Sequence, residues 1–337
     1  MPTIFYEVQH PLAIKKKSGI PKSIERISKA LKMNIGSGFN LIEVIGLNKF
    51  NTFIYAESYI QNEKVIEIIP QKGDIFISAY PNDFMSNVLY NKLATYKKNG
   101  VSINNFIYDI IPIRNPNDYF GKNKYYASTI NPSVTNMDQK LVAKDFFSIF
   151  TSMLLNKLRV SNNIFCSSQY IINDLKNYIQ EKEITFNGKI VLLPYAFERD
   201  DIPSSNDFSS DFLNIFHKPK DLIFLMVGTI ERRKKHKFIL DCFDKLWDRG
   251  NNFRLIWVGS DAWNDQAFII RYKNHPLLNT KFFLLPAASQ EKLRHCYNQS
   301  DVLISASSSE GFGLPNIEAA KYGLPIIARD IPVFREI

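Results

Sequence analysis

A chain of 337 residues and 39.0 kDa exceeds what one hydrophobic core usually serves, so two domains of about 150 residues each are expected. Hydrophobic residues make up 45% and charged residues 22% of it, which excludes a disordered chain, because that much apolar surface can offset the entropy of ordering. The net charge of +9 is concentrated in the stretch up to residue 200, where 24 basic residues face 17 acidic ones, a field that attracts phosphates, anionic lipid or nucleic acid without choosing among them.

Strands and helices alternate along the first half. Thr3 to Val8 is apolar and β-rich, and Pro21 to Met33 repeats Ile24, Ile27 and Leu31 at helical spacing. Strands are expected at Asn40 to Leu47, Thr52 to Glu57, Asp74 to Ala79, Ile103 to Ile107, Ile164 to Ser167 and Lys189 to Leu193. Helices are expected at Ser86 to Lys98, Asp138 to Lys157 and Gln169 to Gln180. From 196 to 220 the pattern breaks into Pro, Ser, Asn and Asp, the composition of a linker. The alternation then restarts: strands at Leu222 to Val227, Arg254 to Val258, Lys281 to Leu284, Val302 to Ser305 and Pro325 to Ala328. Helices lie between them at Lys235 to Trp247, Asp265 to Tyr272 and Gln290 to Asn298, with another led by Pro315. Such alternation implies parallel sheets layered by helices, in a first domain over 1–195 and a second over 221–337, with ligands at the carboxyl ends of strands.

Cys166, Cys242 and Cys296 lie far apart with no C-x-x-C pair, which supports neither a disulfide framework nor a Cys-based zinc site and fits a reducing compartment. No apolar run reaches the ~18 residues of a membrane span, and the start lacks the regions of a signal peptide. A soluble, cytoplasmic protein is expected.

Three stretches are candidate anion sites. In VGTIERRKKHKF, Val227 to Phe238, an apolar strand passes through Gly228 and Thr229 into Arg232, Arg233, Lys234 and Lys235 at the head of a helix. A helix N-terminus is itself partly positive, so these cations conflict with it unless an anion binds there. The competing reading is a solvated basic turn. In SSSEGFGLPNIEAAKYGLP, Ser307 to Pro325, a Gly-rich loop opens onto a helix with Pro315 in its first turn. Glu310 and Glu318 flank that turn and suit the hydroxyls of a sugar or ribose. Alternatively, Glu318 complements the helix dipole and Glu310 is a solvated loop acid. In KKKSGIPKSIERISKAL, Lys15 to Leu31, Gly19 and the lysines repeat the pattern weakly, and a surface turn competes with it.

With those residues in view, the sequence resembles the family-4 glycosyltransferases, retaining enzymes of GT-B architecture that use nucleotide-activated sugars. EGFGLPNIE is similar to their E-x7-E signature, and VGTIERRKKH to their VGT-x-E-x-R-K-x-H segment. SGIPK, YDIIPIRNP, IFCSS, VLLPYAF and WVGSDAW agree in the same order. The wording is closest to bacterial mannosyltransferases of O-antigen and capsule assembly. The resemblance implies two Rossmann-like doubly wound parallel-sheet domains facing across a cleft, the first binding acceptor and the second binding donor.

By the same resemblance, Arg233 and Lys234 hold the donor diphosphate, Glu310 contacts the transferred sugar and Glu318 the ribose. Gly228 and Thr229 line the donor site, the backbone of Gly311, Phe312, Gly313 and Leu314 completes the diphosphate cradle, and Gly19 approaches it from the first domain. Asp109 matches an acceptor-side acid. Stabilising the departing diphosphate lowers the barrier most directly, and with no D-x-D in the chain a metal-independent enzyme without a cofactor is expected. His10, His217, His236, His275 and His295 are taken as non-catalytic, with His236 the best-placed exception. The chain departs from relatives at Tyr108 and Lys22. It ends at FREI where they continue, so a truncated second domain with weakened closure and activity is expected.

The expected activity is therefore transfer of a hexose, mannose first, from a GDP- or UDP-sugar to a lipid-linked surface glycan. The basic first half would rest peripherally on the anionic inner face of the cell membrane, with general solubility as the competing account of its charge. No nucleic-acid partner is expected, because no recognised module for it is present. The alternative is a non-catalytic nucleotide-sugar or nucleic-acid binding protein on the same fold.

Overall fold

The computed structural model describes residues 1–8, 19–47, 52–55, 66–79, 87–118, 139–195, 208–217, 221–261, 266–286 and 288–337. The chain divides into two compact units, Met1–Ile113 with Lys144–Tyr195, and Arg114–Ala143 with Ala196–Ile337. The division thus passes from one unit to the other more than once, where the break in pattern at 196–220 suggested a single crossing.

In the first unit, strands β1 (Thr3–Glu7), β2 (Asn40–Leu47), β3 (Thr52–Tyr55), β4 (Ile75–Ser78), β5 (Ser102–Phe106), β6 (Asn163–Cys166) and β7 (Lys189–Leu192) form one sheet in the order β3-β2-β1-β4-β5-β6-β7. All pairs are parallel except β2 with β3, where Val44 faces Tyr55 and Leu47 faces Thr52. This corrects the expectation of a wholly parallel sheet. The connection between those strands spans only 48–51, too short for the crossover that a parallel neighbour requires. The helices are α1 (Gly19–Asn34), α2 (Asn87–Lys98), α3 (Ile111–Arg114), α4 (Gln139–Val160) and α5 (Gln169–Glu181), with Arg114 and the start of α4 up to Ala143 counted with the second unit. In α5 the buried Ile171, Ile172, Leu175 and Tyr178 recur at helical spacing, and Ser168 caps its start by accepting the Ile171 N–H at 3.2 Å.

The second unit carries a five-stranded parallel sheet in the order β10-β9-β8-β11-β12, from β8 (Ile223–Val227), β9 (Arg254–Val258), β10 (Phe282–Leu285), β11 (Val302–Ser305) and β12 (Ile326–Ala328). Its helices are α6 (Ser210–Asn214), α7 (His236–Asp248), α8 (Gln266–Lys273), α9 (Gln290–Gln299), α10 (Leu314–Lys321) and α11 (Pro332–Glu336). Helix α6 lies inside the stretch read as linker. Its Phe212, with Ile215 just beyond, packs in the core beside Ile223, Leu225 and Tyr297. Burial of these two apolar residues overrides a composition that looks like a connection. Of the same stretch, 196–207 and 218–220 lie outside the described residues. Among the described residues no helix is long and apolar enough to cross a membrane.

In each sheet the chain works outward from one strand and then resumes on that strand's other side. The reversal falls between β1 and β4 in the first unit and between β8 and β11 in the second. Helices that follow the two strands at such a point leave opposite faces of the sheet, so a crevice opens outside their carboxyl ends.

Candidate active site

The loops that follow β8 and β11 meet at the reversal point of the second sheet. Gly228 leaves β8 with φ 129°, and a Cβ built there would lie 3.3 Å from both Cε and Nζ of Lys234. Glycine therefore supplies both the backbone angle and the room for that ammonium. Thr229 and Ile230 follow, Ile230 bridging to Asp261. Arg232–Lys234 make one turn of 3-10 helix, and Lys235 turns left-handed at φ 59° before α7 begins at His236.

The turn aims Arg233 and Lys234 at the β11 loop. The Lys234 Nζ donates to Glu310 Oε1 at 2.5 Å, and Arg233 Nη1 pairs with Glu310 Oε2 at 2.7 Å. Arg233 also reaches the Ser309 carbonyl at 2.9 Å and, through Nη2, Glu231 Oε1 at 2.7 Å. Ser307 Oγ donates to Glu310 Oε1 at 2.7 Å, and the Ser308 N–H donates to the Arg233 carbonyl at 2.8 Å, tying the two loops together. Two carboxylates thus answer two cations. The like-charge conflict that seemed to call for a bound anion is relieved from within the chain by Glu231 and Glu310.

Glu310 is only 7% exposed, and neither of its open readings anticipates these partners. Burial works to raise its carboxyl, but Arg233 and Lys234, with the hydrogen bonds of Lys234 and Ser307, bring it down to about 2. His236, 2% exposed, stands edge-on to Trp257 with centroids 4.8 Å apart. Burial and the Lys234 charge push its imidazole down to about 3, against a backbone bond at Glu231, so it is neutral near pH 7. Its Nδ1 has no hydrogen-bond partner among the described residues. His236, Lys234, Ser307, Glu310, Gly313 and Pro315 line a pocket floored by Met226 and Val227 of β8 and Ile304 of β11.

Gly311 and Phe312 continue the loop, and Gly313, at φ 98°, caps α10, with Leu314 and Pro315 opening the helix. A Cβ on Gly313 would sit 2.7 Å from the Phe334 ring. Glu318, half-buried on α10, accepts the Tyr297 hydroxyl at 2.9 Å. In the first unit Asp109 Oδ1 accepts the Ile111 N–H at 3.0 Å, fastening the start of α3. Gly19, read as a loop residue, is the first residue of α1, while Lys15 to Ser18 lie outside the described residues.

Ser307, Ser309 and Glu231 complete the cluster, and sequence reasoning named none of them as site residues. The signals were there: Glu231 is the E of the VGT-x-E-x-R-K-x-H segment, and both serines stand just ahead of Glu310 in the SSSEGFG stretch. Among the described residues no three His, Cys, Asp or Glu side chains gather as metal ligands would.

Residues 208–337 match the model of the family described as Glycosyl transferases group 1. The chain is 50% identical over 114 residues to the serotype-specific mannosyltransferase WbdA of Escherichia coli, a stretch that is 34% of this chain and 14% of WbdA. It is 33% identical over 130 residues to the O-antigen chain mannosyltransferase RfbU of Salmonella typhimurium, 38% of this chain and 35% of RfbU. The chain therefore spans well under two thirds of either relative. Among solved structures, Anabaena Alr3699/HepE, determined in complex with UDP-glucose, matches with a TM-score of 0.56 at 12% identity, over 99% of this chain and 82% of that one. Two sheets of alternating strands and helices and this likeness give the GT-B fold. Residues 208–337 thus match the Glycosyl transferases group 1 family, and the chain that carries them has the GT-B fold and is similar over that stretch to bacterial O-antigen mannosyltransferases.

Proposed function

We propose that the chain is a retaining, metal-independent hexosyltransferase that moves mannose from a nucleoside diphosphate sugar, GDP-mannose first, onto a growing lipid-linked surface glycan. The observation that carries this reading is the convergence of Arg233, Lys234 and Glu310 at the carboxyl ends of β8 and β11. The relatives named as mannosyltransferases support the sugar.

The chemistry follows from charge. As the bond from the anomeric carbon to the diphosphate breaks, negative charge builds on the leaving oxygen while the carbon becomes oxocarbenium-like. Arg233 and Lys234, fixed in advance by Glu310 and Glu231, meet that charge without reorganising. The acceptor oxygen bonds to the anomeric carbon on the face the diphosphate leaves, and its proton passes to the departing phosphate. Gly311 to Leu314 offer backbone N–H groups toward the phosphates, and Glu318 lies one helix turn further on for the ribose. Neutral His236 adds no positive charge beside Lys234.

A panel of nucleotide sugars tests this, by binding and by slow hydrolysis or transfer with EDTA present. GDP-mannose should bind and turn over in the wild-type chain and fail in Lys234→Ala. Stabilisation by oligonucleotides alone, steeply dependent on salt, would instead make the chain a nucleic-acid binder.

A further inference from the structure

The reversal point of the second sheet holds Lys234 and Glu310; the reversal point of the first sheet also holds an unusual side chain. Glu7 is the last residue of β1 and stands in register with Ser78, the last residue of β4. Ser78 Oγ donates to Glu7 Oε2. Glu7 is 4% exposed, and the Ser78 hydroxyl is the side-chain hydrogen bond that holds its carboxyl among the described residues. Positive charge acts on it from Lys157 of α4, itself buried, whose ammonium donates to the Phe106 carbonyl at the end of β5, 2.8 Å away. Beside these groups the Tyr108 hydroxyl donates to the Ala79 carbonyl at 2.5 Å, and the Tyr108 ring stacks on Phe106 at 6.0 Å.

A carboxyl kept in a protein interior on a hydroxyl hydrogen bond, without an ion pair among the described residues, is costly and does nothing for packing that a Gln or Met would not do better. Its surroundings restrict what could answer it. A phosphate or carboxylate would be repelled, and a divalent ion would need further acidic or imidazole ligands that do not gather among the described residues. A neutral hydroxyl fits. Burial, against the Ser78 bond and the Lys157 charge, lifts the Glu7 carboxyl to about 7, so near neutral pH it can accept from a hydroxyl or donate to one.

We propose that Glu7, held by Ser78 at the reversal point of the first sheet, binds a hydroxyl of the acceptor glycan and so sets acceptor specificity. The identity of the ligand rests on the transferase reading; the hydroxyl site itself rests on the geometry of Glu7 and Ser78.

The experiment measures binding of α-linked mannotriose, and of galactose- and glucosamine-containing trisaccharides, to the full chain by saturation-transfer NMR and calorimetry. The variants are Glu7→Gln and Ser78→Ala, with GDP titrated in parallel. At least one trisaccharide should bind the wild type, Glu7→Gln should weaken it about tenfold and Ser78→Ala about threefold, all with unchanged GDP affinity. In transfer assays the acceptor KM should rise with little change in donor KM. Equal trisaccharide affinity in Glu7→Gln, or no binding of any trisaccharide by the wild type, would overturn the proposal. Unaltered GDP affinity in Lys234→Ala would overturn the transferase reading instead, so the two failures are separate. If Glu7→Gln fails to fold, as GDP binding would reveal, Ser78→Ala decides: no loss of trisaccharide affinity there overturns the site.

Discussion

Lys234 and Glu310, 76 positions apart in sequence, form a 2.5 Å ion pair in a buried corner of the second sheet, and Arg233 closes on the other oxygen of the same carboxylate. A group expected to face the sugar thus also holds the cations expected to face the diphosphate.

Lys234→Ala should therefore affect binding far more than folding. Arg233 still answers Glu310, so the loss of stability should be about 1–3 kcal/mol, below the full cost of an unpaired buried charge. GDP affinity should fall at least about tenfold and turnover about a hundredfold, because a preorganised donor to the leaving group is gone. Calorimetric titration with GDP and initial rates with the donor check both numbers.

Glu310→Ala should behave in the opposite way toward the nucleotide. Without the carboxylate, two cations are left together in a buried site, which destabilises the free chain by a few kcal/mol. A diphosphate that replaces the missing charge should then stabilise this variant more than the wild type. Thermal unfolding with saturating GDP should show a larger rise in Tm for Glu310→Ala than for wild type, with transfer abolished. An equal or smaller rise would mean that Glu310 does not restrain the cations.

Acid stability should report the same pair. The Glu310 carboxyl titrates near 4.5 when unfolded and is held at about 2 in the fold. Its stabilisation is complete above pH 4.5 and is lost as the pH falls toward 2, because the unfolded chain takes up the proton first. Denaturant unfolding from pH 6 to 2 should show a steeper decline for wild type than for Glu310→Gln, by about one proton over that window.

Glu7 carries the opposite sign. Its carboxyl is raised to about 7 from 4.5, so its folded state binds the proton more tightly than the unfolded chain, and stability is lost as the pH rises from 4.5 through 7. Glu7→Gln should be close to neutral at pH 5 and stabilising by about 1–3 kcal/mol at pH 8. Urea midpoints at the two pH values test this. A stabilising substitution that weakens glycan binding is what a binding carboxyl, kept at a cost to the fold, would give.

Gly313→Ala should harm the second unit without touching a charge. The position needs φ 98°, and the added methyl would meet Phe334 at 2.7 Å. A loss of about 1–3 kcal/mol is expected, visible as a lower Tm, and Gly311→Ala should cost less.

Local pattern carried much of the architecture. Apolar runs between polar turn segments place β9 at Arg254–Val258 and β11 at Val302–Ser305 with the limits the structure has, because a buried parallel strand is a short continuous apolar segment whatever lies beyond it. Helices expected from Gln169 and Gln290 begin at those residues, where the structure shows Ser168 and Ser289 as their caps. The pattern failed where packing outweighed composition, in α6, and where connection length set strand direction, in β3. The likeness of EGFGLPNIE and VGTIERRKKH to a family drew attention to Arg233, Lys234 and Glu310, but not to their partners. Glu7 gave no signal, since one acid closing a β-rich segment looks like any solvated strand end.

The sequence by itself determined the strands and the longer helices, that the chain makes two α/β units, and which loops carry cations and acids, because these depend on neighbours within about ten residues. Only the tertiary structure decided that Glu310 neutralises Arg233 and Lys234, and that Glu7 meets Ser78 at the reversal of the first sheet. Strand order brings together residues more than seventy positions apart, and burial, which no local window contains, turns their proximity into shifted proton affinities and strong ion pairs.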